Sequence, residues 1–341
     1  MMRNNATIQD IARRAGVGTT TVSRVLNGHP YVSEATRQKV LNAIEDLGYR
    51  PSFSAQHMRT RTSRLIGFLA ADVATTPYAV DMIRGAYDAC WNQEHVLLVI
   101  STGENMEMAE AAVEVLLGRQ VEGIVCAAMY HRPIHLPDNS RHIPTVLANC
   151  FVPDRSLPSV VPDEVQGGHD AITFALRKGH TRIGFINLSP HTNGGGPVPA
   201  SKGRLQGYRE ALEQAGIPYD EHLVKHTNET PRANYHLTQE LLALPDPPTA
   251  IFCGNDRTAM GCYGALAQMG LRIPDDVAVI SFDDQIDIAS GLWPPLTSMR
   301  LPHYEMGRWA VDYLLRHVQA EDALPPVQHL VECPLIERDS I

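Results

Sequence analysis

Residues 7–28 read TIQDIARRAGVGTTTVSRVLNG, and the reading of this stretch decides what the N-terminal part of the chain can be. Thr7 is a natural N-cap, and Asp10 falls three residues later, where a carboxylate complements the first turn of a helix. Ile8, Ile11, Ala12 and Ala15 stand at i, i+3, i+4 and i+7, which is one apolar helical face. Gly16 supplies the left-handed residue that ends this helix. A second helix is expected from Thr19, with Val22, Val25 and Leu26 turned inward and Asn27-Gly28 ending it. Two short helices joined by a three-residue turn containing glycine are the sequence form of a helix-turn-helix. A third helix after the Ser33 cap is expected to bury Val40, Leu41, Ile44 and Leu47 against the first two, with Gly48 closing it. Thr19, Thr20, Ser23 and Arg24 are then left on one exposed face. Such a face has little to offer a protein partner, which weighs against a three-helix interaction module.

Charge supports the same reading. Residues 1–64 carry ten Lys/Arg and four Asp/Glu, a net of +6, whereas the remaining 277 carry nineteen and thirty-four, a net of −15. A basic head on an acidic body suits a phosphate-binding module joined to a solubilising domain. After the head, Pro51 pushes Arg50 out of the helical region. The run SAQHMRTRTSR that follows has room for one short helix without a large apolar face, and such a helix is marginal alone.

From Leu65 the chain alternates apolar runs (LIGFLA, VLLVIS, GIVCAA, TVLAN, then RIGFIN, AIFCG, VAVISF) with amphipathic stretches. The helices are expected around 78–92, 106–119, 165–176, 204–215, 233–244 and 259–269. That alternation predicts parallel sheets covered by helices on both faces, in two lobes. Ligands of open α/β sheets lie at the carboxyl ends of the strands, so the interlobe cleft is the expected binding site.

AGVGTTTVSRVLNG followed by VSEATRQKVLNAIEDLGYRPS resembles the headpiece of the lactose/galactose repressor family, and the likeness continues through nearly the whole chain. It implies an N-terminal all-α helix-turn-helix headpiece at 1–50 and a hinge helix at 51–64. It also implies a periplasmic-binding-protein-like α/β effector and dimerisation domain at 65–341, built of two doubly wound lobes. Lobe 1 is expected at about 65–162 and 294–324, and lobe 2 at about 163–291 and 325–341. By the resemblance Thr19, Thr20 and Arg24 read base edges and Thr7 and Ser23 meet phosphates. Threonine offers a methyl and a hydroxyl to bases, and arginine a bidentate contact to guanine. In the hinge, Ala55 matches the family pattern and Met58 stands where an apolar side chain, usually leucine, wedges into the minor groove. Gly18 departs from the usual capping serine, which removes one phosphate contact at little cost to the helix.

The resemblance places the effector site on Tyr78, Asn149, Arg204, Asn255 and Asp283. Amide, guanidinium and carboxylate groups beside an aromatic ring suit a sugar's hydroxyls and C–H faces. Asp256 also reads as a simple cap of the following helix, Asn255 as a residue that satisfies backbone groups, and Arg204 as a surface ion-pair partner. The partners implied are pseudo-palindromic double-stranded operator DNA, a sugar-like effector and a second copy of the chain.

Other classes fit less of the sequence. No uncharged apolar run reaches 18 residues, so no membrane span is expected, and Met1–Gln9 has no apolar segment to direct export. A cytoplasmic protein is therefore expected. The six cysteines form no CxxC pair and the fifteen histidines show no ligand spacing, so neither metal nor cofactor is expected. No GxSxG or HExxH motif is present, which argues against an enzyme. A solute-binding protein without a DNA role would account for the body alone.

Overall fold

The computed structural model describes residues 6–26, 29–49, 62–77, 79–103, 105–191, 196–228, 230–319 and 326–341. The chain divides into two units, Met1–Ser63 and Arg64–Ile341.

In the first unit α1 (Ile8–Ala15), α2 (Thr19–Leu26) and α3 (Glu34–Asp46) enclose a small core of Ile11, Ala12, Val22, Val25, Val40 and Ala43. Thr7 and Asp10 form a reciprocal capping box at the start of α1, and Gly16 ends it at φ +68°. The side chain of Ser33 caps α3. Leu41 and Leu47, expected in this core, are 44% and 36% exposed. The inward stripe of α3 is narrower than its apolar pattern, because two helices of only eight residues cover it. Residues 50–61, with the hinge expectations at Ala55 and Met58, lie outside the described residues, as does Tyr78.

Among its described residues the second unit contains two six-stranded sheets. The strands of the first are β1 (Leu65–Ala70), β2 (Val96–Ser101), β3 (Gly123–Pro133), β4 (Thr145–Phe151), β5 (Ser159–Pro162) and β11 (Gln328–Val331), in the order β11-β5-β4-β3-β1-β2. All its pairings are parallel. The second sheet holds β6 (Ile183–Asn187), β7 (Val224–His226), β8 (Ala250–Cys253), β9 (Ala278–Asp283), β10 (Thr297–Arg300) and β12 (Leu335–Ile336), in the order β12-β10-β9-β8-β6-β7. Only the short β12 runs antiparallel to its neighbour.

The apolar runs form these strands because parallel sheets are covered on both faces. In lobe 1 one face packs on α4 (Val80–Asn92) and α11 (His303–Gln319), the other on α5 (Met106–Gly118). In lobe 2, α6 (Glu164–Arg177) and α7 (Pro199–Gln214) cover one face. The opposite face carries α8 (Pro231–Leu242), α9 (Asp256–Met269) and the short α10 (Ile286–Ala289). Phe185, Phe252 and Tyr208 stack at the centre of lobe 2, and the Tyr208 hydroxyl donates to the Ile183 carbonyl at 2.8 Å. The six cysteines are all buried free thiols.

Both lobes contain helix pairs in very close contact. A Cβ at Gly85 of α4 would fall on the Tyr304 carbonyl of α11, and one at Gly307 of α11 on the Met82 carbonyl of α4. In lobe 2 a Cβ at Gly207 of α7 would meet the Val165 carbonyl of α6, and one at Gly168 of α6 would meet the Arg204 backbone.

The chain passes between the lobes three times: after β5, after β10 and after β11. This corrects the lobe boundaries expected at about 294 and 325. β10 pairs with β9, which places 297–300 in lobe 2, and β11 pairs with β5, which returns 328–331 to lobe 1. Both strands are four residues long. β10 (TSMR) buries its Thr297 and Ser298 by hydrogen bonding rather than by apolar character, so its register is set by its partners.

Candidate functional site

Two surfaces matter. On the head, Val22 and Val25 are drawn into the core, and with them fixed the 3.6-residue period leaves Thr19, Thr20, Ser23 and Arg24 exposed on the outer face of α2. Gly18 starts this helix with its carbonyl, which accepts the amides of Thr21 and Val22 at 2.9 and 3.2 Å. Thr7 is exposed, but its hydroxyl donates to Asp10 Oδ2 at 2.7 Å and accepts the Asp10 amide at 3.3 Å. The hydroxyl bond to Thr7 is also the main reason the Asp10 carboxyl lies below the usual carboxylate range. A phosphate contact from the Thr7 hydroxyl therefore competes with the cap it makes.

The second surface is a cavity of about 480 Å³ between the lobes. Four of the five expected effector residues, Asn149, Arg204, Asn255 and Asp283, line it together. Arg204 stands in the second turn of α7, which begins five residues earlier than expected, at Pro199. The Arg204 side chain is 3% exposed and its guanidinium is engaged on every side. Nε donates to Glu164 Oε2 at 2.7 Å, Nη1 donates to the Gly254 carbonyl, and Nη2 lies 3.4 Å from Asp283 Oδ1. The group also stacks on Phe282, 3.7 Å from the ring centroid. The surface ion-pair reading of Arg204 is thereby replaced by a buried one.

Asn255 is the N-cap of α9: its Oδ1 accepts the Thr258 amide at 2.8 Å and the Thr258 hydroxyl at 2.9 Å. Asp256 is not the cap. It turns inward, fully buried, and its carboxylate accepts the Gln285 amide at 2.6 Å and the Ser298 hydroxyl at 2.7 Å. These two bonds hold the turn after β9, where Asp283 and Asp284 have φ of +107° and +50°. Residues with side chains hold such conformations only when their surroundings over-determine them. Asn149 lies inside β4 rather than at its end, at φ +55°, and donates to the Ala128 and Met129 carbonyls at 3.1 and 2.7 Å.

Sequence reading missed Glu164, His131, Gln285 and His303, all in the cavity wall. Glu164 opens α6 and faces His131 of β3 across the lobes, with Nδ1 3.8 Å from Oε1. Both ring nitrogens of His131, Asn149 Oδ1, Gln285 Oε1 and His303 Nε2 have no hydrogen-bond partner among the described residues. Such buried orphan groups, drawn from both lobes and mixing acceptors with imidazoles, are what a polar ligand would satisfy. Their elements are far apart in sequence and share no spacing, so no motif announces them.

Burial pushes Asp283 up to about 6 despite Arg204, and pushes Asp256 up to about 7 with the help of the neighbouring Asp283 charge. Burial also raises Glu164, but Arg204 and His131 outweigh it and leave this carboxyl below its ordinary range. Burial lowers His303 to about 4, so its imidazole is neutral at pH 7.

Between the ordinary 3.8 and about 7 the folded chain holds a proton on Asp256 that the unfolded chain releases, so stability falls as pH rises through that window. Asp256→Asn removes the ionisation. At pH 8 it is expected to gain on the order of 3 kcal/mol relative to its difference from wild type at pH 4. Thermal melts at the two pH values check this, and a midpoint difference independent of pH would sink it.

The chain is 32% identical over 338 residues to the HTH-type transcriptional repressor CytR of Escherichia coli (strain K12), covering 98% of this chain and 96% of that protein. The chain belongs to the lacI family of bacterial regulatory proteins. The model of that family's DNA-binding domain matches residues 7–52, and a periplasmic binding protein-like domain matches 172–341. Among solved structures, the transcriptional regulator CelR in complex with cellobiose is 31% identical, with a TM-score of 0.67 over 98% of this chain and all of that one. The lac repressor dimer bound to operator and the anti-inducer ONPF is 25% identical, with a TM-score of 0.78 over 99% of both. Like other lacI-family chains, this one combines a DNA-binding head with a ligand-binding body. No helix among the described residues is long and apolar enough to cross a membrane.

Proposed function

We propose that the chain is a cytoplasmic, sequence-specific DNA-binding repressor of carbohydrate-utilisation genes, without enzymatic activity, released or recruited by a sugar-like effector in the interlobe cleft. Thr19, Thr20 and Arg24 would read base edges, with Thr7 and Ser23 on phosphates. Asn149, Arg204, Asn255 and Asp283, with Tyr78, would form the effector site. The observation that carries this reading is the union in one chain of an exposed recognition face with a cleft whose unpartnered polar atoms come from both lobes. Arg204 belongs to this site less as a free donor than as the hub that sets Glu164 and Asp283. A ligand that draws the lobes together changes where they hold the linker, which is how the head would be told of its presence. The test is selection of a preferred duplex from a randomised pool, followed by titration of that complex with mono- and disaccharides, sugar phosphates and nucleosides. A chain that binds sugars but prefers no duplex would instead be a solute-binding protein.

Reading a pseudo-palindrome takes two heads, so the body would pair with a second copy. Val80, Tyr87 and Trp91 form an exposed stripe along α4, with Tyr87 and Trp91 stacked at 6.3 Å. Val96 and Val99 are exposed on the adjacent edge strand β2. Trp91, 68% exposed, is the expected centre of the interface. Trp91→Glu is expected to weaken self-association about thirtyfold or more without lowering the melting temperature of the isolated subunit. Sedimentation of wild type and variant at matched concentrations decides it, and identical profiles would reject this face.

A further inference from the structure

We infer that Glu122 is a positioning residue that anchors the first residues of the ligand-binding unit, and hence the end of the linker from the DNA-reading head; the inference rests on the DNA-binding reading above. Glu122 immediately precedes β3, and its side chain is 15% exposed. One carboxylate oxygen accepts the backbone N–H of Arg64 at 2.7 Å. The other lies 3.2 Å from Nε2 of His95, whose Nδ1 is 2.6 Å from the Gln93 carbonyl. The Glu122 amide donates to the Leu65 carbonyl at 2.8 Å, so this one residue grips positions 64 and 65 with both its side chain and its backbone. The Arg64 carbonyl in turn accepts the Val96 amide at 2.8 Å.

This arrangement does more than start a strand. Arg64 sits at φ +53°, a left-handed conformation that a side chain adopts only where its neighbours impose it. The Arg64 guanidinium reaches Glu94 at 2.6 Å, but both side chains of that pair are well exposed, and such pairs contribute little. The largely buried carboxylate of Glu122 is therefore the stronger of these two side-chain holds on Arg64, since hydrogen bonds to a charged acceptor are the strong ones. Glu122 also stands at one end of β3, whose other end carries His131 and Arg132 in the cleft wall. The strand lies in the middle of a six-stranded sheet, paired in regular register with β4 up to Ala127, and its register shifts between Ala127 and Arg132. The linker's anchor and part of the cleft wall thus belong to one strand, joined through its irregular stretch between Ala127 and Arg132.

The experiment uses the full chain as wild type, Glu122→Ala, Glu122→Gln and, as a control, Glu94→Ala. Hydrogen exchange of peptides spanning 62–68 is measured first, without DNA. Glu122→Ala is expected to exchange about tenfold to a hundredfold faster there. Glu122→Gln, whose neutral amide oxygen still accepts the Arg64 N–H but more weakly, should fall between wild type and Glu122→Ala, and Glu94→Ala should stay close to wild type. Affinity for a duplex selected from a randomised pool with the wild-type chain is measured second. There Glu122→Ala should lose about tenfold or more while retaining wild-type affinity for an unrelated duplex. Unchanged exchange in Glu122→Ala, or equal acceleration in Glu94→Ala, overturns the anchor. Faster exchange with unchanged affinity for the selected duplex overturns its role in placing the head. If the wild-type chain selects no duplex, the DNA-binding reading fails, and exchange alone then decides whether Glu122 holds the turn. Should Glu122→Ala fail to fold, the Gln variant carries the test: exchange as fast as in unstructured peptide would overturn the proposal.

Discussion

Arg204→Ala is expected to lower the melting temperature of the body by on the order of 10 °C at pH 8, the largest effect of any single truncation in the cleft. The reason is what the guanidinium leaves behind. Glu164 and Asp283, 5% and 12% exposed at their side chains, lose their nearest cation, and the Gly254 carbonyl loses its donor. Removing one partner of a buried ion pair costs about 3–5 kcal/mol. Each kcal/mol is worth roughly 2–4 °C in a domain of this size. The loss should be pH-dependent. Arg204 stabilises the ionised forms of both carboxyls, so without it both titrate higher. Stability of the variant then falls more steeply than that of wild type as pH rises from the ordinary carboxylate range toward 8. Calorimetry at pH 5 and pH 8 measures this, and a midpoint within about 2 °C of wild type at pH 8 would show that Arg204 is no structural hub. Loss of effector response in this variant is by itself no proof of ligand contact, because the wall of the cleft goes with it.

Arg24→Ala should do the opposite: leave stability alone and abolish discrimination among duplexes. Arg24 is exposed on α2 and contributes nothing to the core of the head. A bidentate arginine–guanine contact is worth about 1–3 kcal/mol of discrimination, and a paired protein makes it twice. The preferred duplex is then expected to bind on the order of a hundredfold to ten-thousandfold more weakly. Binding to unrelated duplexes falls only by the share of one phosphate-attracting charge. Fluorescence anisotropy against a selected and a scrambled duplex, at one fixed salt concentration, separates the two terms. Equal affinity of variant and wild type for the selected duplex would remove Arg24 from the reading face.

The head and the body differ in how openly their amino-acid sequences declare the fold. The head is legible because its signals are local: the Thr7–Asp10 cap, the left-handed Gly16 and the inward Val22 and Val25 each act within one or two turns. The strands of the body are legible for a similar reason, since a parallel strand buried on both faces must be an unbroken apolar run. The lobe crossings are not. β10 and β11 are short and carry little apolar pattern, and their sheet membership is decided by β9 and β5, far away in sequence. In the cleft, Asn149, Arg204, Asn255 and Asp283 are found through family resemblance rather than spacing. What resemblance does not supply is the use to which they are put. The Asn255 carbonyl is spent on a helix cap and the Arg204 guanidinium on Glu164 and Asp283. Meanwhile His131, Gln285 and His303, which no pattern picks out, join Asn149 in presenting the unsatisfied atoms.

The glycine-mediated crossings of α4 with α11 and of α6 with α7 limit what signalling can look like in this molecule. Where backbones touch with no side chain between them, neither member of the pair has slack to slide or roll. Each lobe should therefore travel as a solid block, its interior indifferent to whether the cleft is filled. All deformation is then left to the three thin strips of chain that join the blocks. Ligands of different shape would be told apart by the angle at which they set those strips, not by any rearrangement within a lobe.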